Sequence, residues 1–288
     1  MPPRIVTVTI ILFWLTTTGA LVYYEAVPRF HAGEPPPFTI PLTAEVSTTS
    51  VDWNVLRDGK RIGSGTTQIE RLTDRNYELS ARFEIKRFNL LIFELQDLKI
   101  TSKYCITQEG NLVNSSAFAS FIANNVPFVE GRVPAEFDFR GEVRKHQFHP
   151  KLIVRASGTE LKGFPELEPF PVAESGNILN PMHLVHKISG LSAGRTWRIP
   201  LMDPMRAMPS RLRMAPTELS VDELFASVSL DDLPHHGVGE PCYKIEYSKS
   251  GESRPLAATW VRRRDDAVLQ QWARYEGLEY TLQRARGQ

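Results

Sequence analysis

Tyr77-Glu78-Leu79-Ser80-Ala81-Arg82-Phe83-Glu84-Ile85 sets an apolar or small side chain at every odd position and a polar or charged one at every even position, with Tyr77 opening the series. A period of two is that of a half-buried strand, because successive side chains of extended backbone point to opposite faces. The same reading extends in both directions. On the N-terminal side, Val51-Asp52-Trp53-Asn54-Val55-Leu56 runs into Arg57-Asp58-Gly59-Lys60, and Arg61 to Arg71 returns. Asp-Gly between two such runs is a strong short-range hairpin signal. On the C-terminal side follow Leu91 to Thr107, Asn111 to Ile122, Ala135 to Arg144 and Lys151 to Ser157. Residues 50 to 160 therefore read as an antiparallel meander.

From about 160 to 240 the pattern breaks. Pro165, Pro169, Pro171, Pro181, Pro200, Pro204, Pro209 and Pro216 punctuate it. Two short helices are expected there. Pro181 to Ile188 has Asn180 as its cap and proline at the first helical position, and Val221 to Ser227 has Ser220 as its cap with Asp222 and Glu223 in the first turn. Thr196-Trp197-Arg198-Ile199 between them reads as a strand. The β pattern resumes with Tyr243 to Tyr247, Leu256 to Arg263, Val268 to Tyr275 and Leu278 to Gln283.

The two β halves show a weak repeat. Gly59, Thr67, Arg71, Asp74, Ala81 and Phe83 recur in order as Gly251, Thr259, Arg263, Asp266, Ala273 and Tyr275. Any two meanders resemble each other to some degree, but both halves can belong to one sheet. In that case Trp53 and Trp260, with Phe83 and Tyr275, are expected in one core.

The N-terminus carries the clearest segment. Ile5 to Tyr24 holds no charge, and twenty helical residues span roughly 30 Å, the thickness of a bilayer core. Tyr23 and Tyr24 end the run where interfacial aromatic belts form. The expectation is a single-pass signal-anchor over 1–25, with the remainder on the periplasmic side of a bacterial inner membrane. A cleaved signal peptide ending near Thr18-Gly19-Ala20 is the competing reading. A linker over 26–43 follows, with Pro28, Gly33, Pro35-Pro36-Pro37 and Pro41 reading as extended polyproline-like backbone or as an arm packed on the domain. The β domain is expected over 44–288.

These residues carry a resemblance. Trp53…Asp58-Gly59…Ile62-Gly63…Thr66-Thr67, with Tyr243-Lys244-Ile245…Gly251…Ala258-Thr259-Trp260-Val261-Arg262-Arg263, resembles bacterial envelope proteins similar in topology to the lipoprotein-carrier (Lol-type) fold. The opening Phe13-Trp14-Leu15…Tyr23-Tyr24-Glu25, followed by Gly33-Glu34-Pro35-Pro36-Pro37-Phe38-Thr39-Ile40, resembles membrane-anchored proteins of planctomycete-type bacteria. The resemblance implies a mainly β fold: a highly curved antiparallel sheet, or incomplete barrel, around short helices of the middle insertion. With the N-terminal transmembrane helix, that is the expected architecture. The cysteine of an acylated lipoprotein is missing near the segment's end.

Composition narrows the function classes. Beyond residue 24 the chain carries 33 basic and 33 acidic side chains, a neutral domain without the basic footprint of a nucleic-acid binder. The chain contains no phosphate loop, dinucleotide fingerprint, zinc-protease motif or nucleophile elbow; Gly63-Ser64-Gly65 has the wrong spacing for the last. No catalytic residue, cofactor or metal is assigned. The pairs His146/His149, His183/His186 and His235/His236 lack a carboxylate or cysteine at ligand spacing. Cys105 and Cys242 are either a long-range disulfide, stabilising by on the order of 4 kcal/mol, or two buried thiols. Arg195 to Met214 mixes arginines with methionines, a composition that suits an adaptable rim around an anionic amphiphile or a surface excursion packed on the sheet. Trp197, Arg198, Met202 and Arg206 are the candidate ligand-binding residues, with Pro181–Ile188 as a plug inside the sheet. The expected function is a membrane-anchored envelope binding or scaffold module, holding a hydrophobic or lipid-like ligand or an envelope protein. The alternative is an enzyme acting on envelope polymer through carboxylates such as Glu136 and Asp138.

Overall fold

The computed structural model describes residues 13–19, 33, 49–72, 76–90, 93–108, 110–124, 131–162, 167–172, 185–200, 223–235, 237–249, 252, 254–275 and 278–285. The first meander is β1 (Thr49–Arg57), β2 (Lys60–Arg71), β3 (Tyr77–Leu90), β4 (Phe93–Ile106), β5 (Leu112–Asn124), β6 (Val133–Arg144) and β7 (Gln147–Ala156). Two short pieces, β8 (Thr159–Glu160) and β9 (Phe170–Pro171), both pair with β7. The second meander is β10 (Thr196–Pro200), β11 (Glu223–His235), β12 (Val238–Lys249), β13 (Ala257–Arg262), β14 (Val268–Tyr275) and β15 (Leu278–Arg284).

All fifteen strands form one antiparallel sheet, because β15 pairs with β1 through Trp53 opposite Arg284 to Arg57 opposite Tyr280. The first and last strands of the chain thus meet in the middle of the sheet. Its open edges, β10 on one side and β7 with β8 and β9 on the other, come from mid-chain. Among the described residues three hairpins turn on residue pairs with both φ positive: Asp58-Gly59, Lys145-His146 and Ser157-Gly158. That pairing matches the right-handed twist of the flanking strands. Gly59, at φ 75°, occupies a conformation that other residues adopt only with strain.

The sheet curls. Phe148 of β7 and Trp197 of β10, near opposite ends of the strand order, share one core with Trp53, Tyr77, Ile106, Leu224, Ile245 and Tyr247. A flat sheet would hold its two edges far apart. Aromatic rings packed over glycines assist the bend. A Cβ on Gly141 would overlap the Phe148 ring, which is fully buried between Phe139 and Phe170 at centroid distances of 5.9 and 5.3 Å. Gly141→Ala is therefore expected to destabilise by about 1–3 kcal/mol, the usual cost of overpacking. A urea midpoint unchanged from wild type would contradict this packing.

The expectations of a mainly β, highly curved antiparallel sheet hold; three finer points do not. Val221 to Ser227 is not a helix, because from Glu223 the chain is strand β11. A cap and an acidic first turn favour a helix locally by about 1 kcal/mol each. The strand buries Leu224, Ala226 and Val228 and pairs with β10 and β12 on its two sides, which outweighs that preference. Of Pro181 to Ile188, 181–184 lie outside the described residues, and 185–188 are not helical. Lys187 forms an antiparallel bridge with Ala267 instead. Nor do Trp53, Trp260 and Phe83 share a core; the Tyr275 side chain lies outside the described residues. Trp53 is in the main core, whereas Trp260 packs with Leu233, Cys242 and Leu269 in a second cluster and Phe83 with Val55, Ile85 and Leu98 in a third. Thr259 and Val261 face the main core, so alternation turns Trp260 away from it.

Of the expected span Ile5 to Tyr24, residues 13–19 are described, as helix. Among the described residues no helix is long and apolar enough to cross a membrane.

Candidate functional site

The register sorts the sheet into two ends. Thr49, Arg71, Tyr77, Arg262 and Val268 lie toward one end, and the Asp58-Gly59 turn, with the β3–β4 and β14–β15 connections, toward the other. Different structures occupy the two.

The first end is plugged. Val185, Ile188 and Leu191 are buried in the main core, and backbone bonds tie the segment to the β13–β14 turn: Ile188 N–H donates to Asp266 O at 3.0 Å, and Val268 N–H to His186 O at 2.9 Å. His186 is buried at 7% exposure, with Nε2 2.7 Å from Thr67 Oγ1. Thr67 also accepts the Trp53 indole N–H at 2.8 Å. Burial, and then the charge of Arg284, pull the His186 imidazole down to about 4, against a backbone hydrogen bond with Thr67. It is therefore neutral near pH 7 and serves as a hydrogen-bonded pin rather than a charge. Thr259, at the repeat position of Thr67, bonds in the same manner to an aromatic of the preceding strand, the Tyr247 hydroxyl. Burial pushes that phenol up to about 12.

The other end carries a cleft of about 770 Å³ formed by residues 61–64 of β2, 84–86 of β3 and 97–99 of β4. Consecutive residues of one strand line it, so it follows the bend of the backbone rather than one face of the sheet. Two register shifts flank it, one at Val55/Leu56 against β2 and one between Gln96 and Lys99 against β5, where Asp97 has φ 52°. Bulges of this kind sharpen the local twist and re-aim side chains. Gly63 permits close approach of β2 and β3, since a Cβ there would meet the Glu84 carbonyl. The apolar part of the lining is Ile62, Ile85 and Leu98, continuous with the Val55 cluster. Around it stand exposed Arg61, Lys86 and Lys99 together with Glu84 and Asp97. Lys99 lies opposite Glu84 in the ladder. Cations and an apolar floor within one cleft can hold an amphiphile; Ser64 also lines it, opposite Glu84 in the ladder.

The cleft was not legible in the sequence, because no local signal marks it beyond the glycines of β2. The residues singled out from sequence lie elsewhere. Trp197 is fully buried in the core, with its indole Nε1 lacking a hydrogen-bond partner among the described residues, and Arg198 is exposed. As neighbours on a strand they face opposite sides of the sheet and do not form one site. Met202 and Arg206 lie outside the described residues. Glu136 and Asp138 share strand β6, and both are ion-paired. Asp138 accepts two bonds from Arg140 at 2.8 Å, and Glu136 is 3.6 Å from Arg155. Cys105 and Cys242 are buried and form no disulfide. Among the described residues no three of His, Cys, Asp and Glu gather as metal ligands; His183 and His236 lie outside them.

No family model matches the chain. No curated protein matches it either. Among solved structures it is similar to the crystal structure of a beta-barrel-like protein of domain of unknown function DUF1849 from Brucella abortus. The identity is 8% and the TM-score 0.39, and the match covers 83% of this chain and 95% of that one. The barrel-like architecture of the present chain rests on its own strand order.

Proposed function

We propose that this chain is a membrane-anchored module of the bacterial cell envelope that holds a hydrophobic or lipid-like ligand in the cleft at the end of its curved sheet opposite the plug. The observation that carries the reading is the joining of apolar Ile62, Ile85 and Leu98 to Arg61, Lys86 and Lys99 within about 770 Å³. That volume lies in the range of small-molecule sites. The resemblance to the Lol-type fold and to planctomycete-type anchored proteins suggests the same compartment. Anchoring is supported by the charge-free run Ile5 to Tyr24 and by its described part. There Phe13, Trp14 and Leu15 are 70%, 63% and 55% exposed, and the Thr17 hydroxyl is satisfied by the Phe13 carbonyl at 2.9 Å. Three consecutive uncovered apolar side chains on a helix whose hydroxyl turns inward suit a lipid environment. The carboxylate-enzyme reading loses support, since Glu136 and Asp138 do not face each other across a cleft.

The test is ligand binding by the purified full chain. Native mass spectrometry is expected to show a copurified amphiphile, and a fluorescent fatty acid to bind in its place. Arg61→Ala with Lys86→Ala is expected to weaken that binding about tenfold, the loss of roughly one charge-assisted bond, with the melting temperature nearly unchanged. Absence of both a copurified amphiphile and fatty-acid binding would reject the ligand reading.

A further inference from the structure

Gly33 stands apart in sequence from every other described residue, yet it is tied to the sheet. Its N–H donates to the Thr196 carbonyl at 2.9 Å, and it forms a parallel bridge with Trp197. The bond falls on the open edge of β10, whose other side is taken by β11. We infer that this contact is a strap that turns the β10 edge toward the bilayer and makes it the membrane-facing surface of the domain. The inference rests on the proposed N-terminal anchor. From the end of the apolar run at Tyr24 to Thr49 the chain has 25 residues, a leash of at most about 85 Å. On such a leash the domain could present any side to the membrane. Gly33 lies only nine residues past Tyr24, so the strap shortens the reach to about 30 Å. The side chains around this edge suit an anionic lipid surface. Beside this edge Arg198 is exposed and Arg195 is half-exposed, with Arg195 Nη1 donating to the Gly190 carbonyl at 2.7 Å. Basic residues at such a surface are attracted to anionic headgroups within a Debye length. The cleft sits on β2 to β4, at least seven strands along the sheet from β10, and so remains open to the aqueous side.

The experiment uses the full chain in vesicles of phosphatidylethanolamine and phosphatidylglycerol with a headgroup energy-transfer acceptor. One fluorophore is placed by Ser192→Cys, in the exposed turn before β10, and another by Lys60→Cys, at the exposed β1–β2 turn; the native cysteines are buried. The Ser192 position is expected to transfer severalfold more than the Lys60 position. Gly33→Ala should preserve the difference, since a Cβ there meets Thr196 O only at an ordinary 3.6 Å. Gly33→Pro removes the donor and should bring the two positions to similar transfer. Chain bound to vesicles with equal transfer at both positions in the wild type would overturn the strap while leaving the anchor intact. Chain that does not float with vesicles would overturn the anchor and the strap with it.

Discussion

Trp53→Ala should destabilise the protein by about 3–5 kcal/mol, the range for removing a buried large aromatic. Trp53 is 1% exposed and belongs to the core shared by both halves of the sheet. Its strand β1 pairs with β2 on one side and β15 on the other, so the cavity would open where the two meanders join. The indole N–H also supports Thr67, which in turn contacts His186 of the plug. Trp53→Phe keeps much of the apolar contact but loses this donor and part of the ring volume; it should cost about 1–3 kcal/mol, a buried hydrogen bond left unmade plus a small cavity. Chemical denaturation of both variants separates the two contributions. A Trp53→Ala variant as stable as Trp53→Phe would show that the junction is not the load it carries in this packing. Since whole domains are stable by only about 5–15 kcal/mol, the alanine variant is expected to lie close to the folding threshold.

The second large effect is acid sensitivity set by His186. Its folded-state value, about 4, is below the ordinary 6.5 because burial and Arg284 disfavour the imidazolium. Between those values the unfolded chain binds a proton that the folded chain does not. Stability is then fully present above about pH 6.5 and falls as the pH drops toward 4, with the loss approaching on the order of 3 kcal/mol. Asp265 acts in a lower window. Arg262 holds its carboxylate below the usual value, so its contribution is lost only as the pH falls through and below the ordinary carboxylate range. His186→Gln, which keeps a hydrogen-bonding side chain without the titration, should flatten the profile between pH 6.5 and 4. Parallel wild-type and His186→Gln profiles across that interval would show that the plug histidine is not the titrating group.

Much of the architecture is contained in local sequence. Alternation over Tyr77 to Ile85 and the Asp58-Gly59 turn specify strands and a hairpin, because both depend only on neighbouring residues and backbone twist. The neutral charge balance, the charge-free N-terminal run and the missing catalytic motifs are likewise properties of the chain alone. The tertiary structure decided what depends on partners distant in sequence. Glu223 onward has a helix-start signal, yet it becomes β11 because β10 and β12 are there to pair with it and the core is there to take Leu224, Ala226 and Val228. Trp260 is as apolar as Trp53 but faces the other side, which the order of small and large residues in β13 does not announce. The cleft exists because the bulges at Val55/Leu56 and near Asp97 bend three strands together, and their position follows from inter-strand register. Above all, the pairing of β15 with β1 sets the edges of the sheet in mid-chain and brings His186 to Thr67, 119 residues earlier. Contacts of that kind carry no period in the sequence; they are selected by the burial and hydrogen bonding gained when the whole sheet curls.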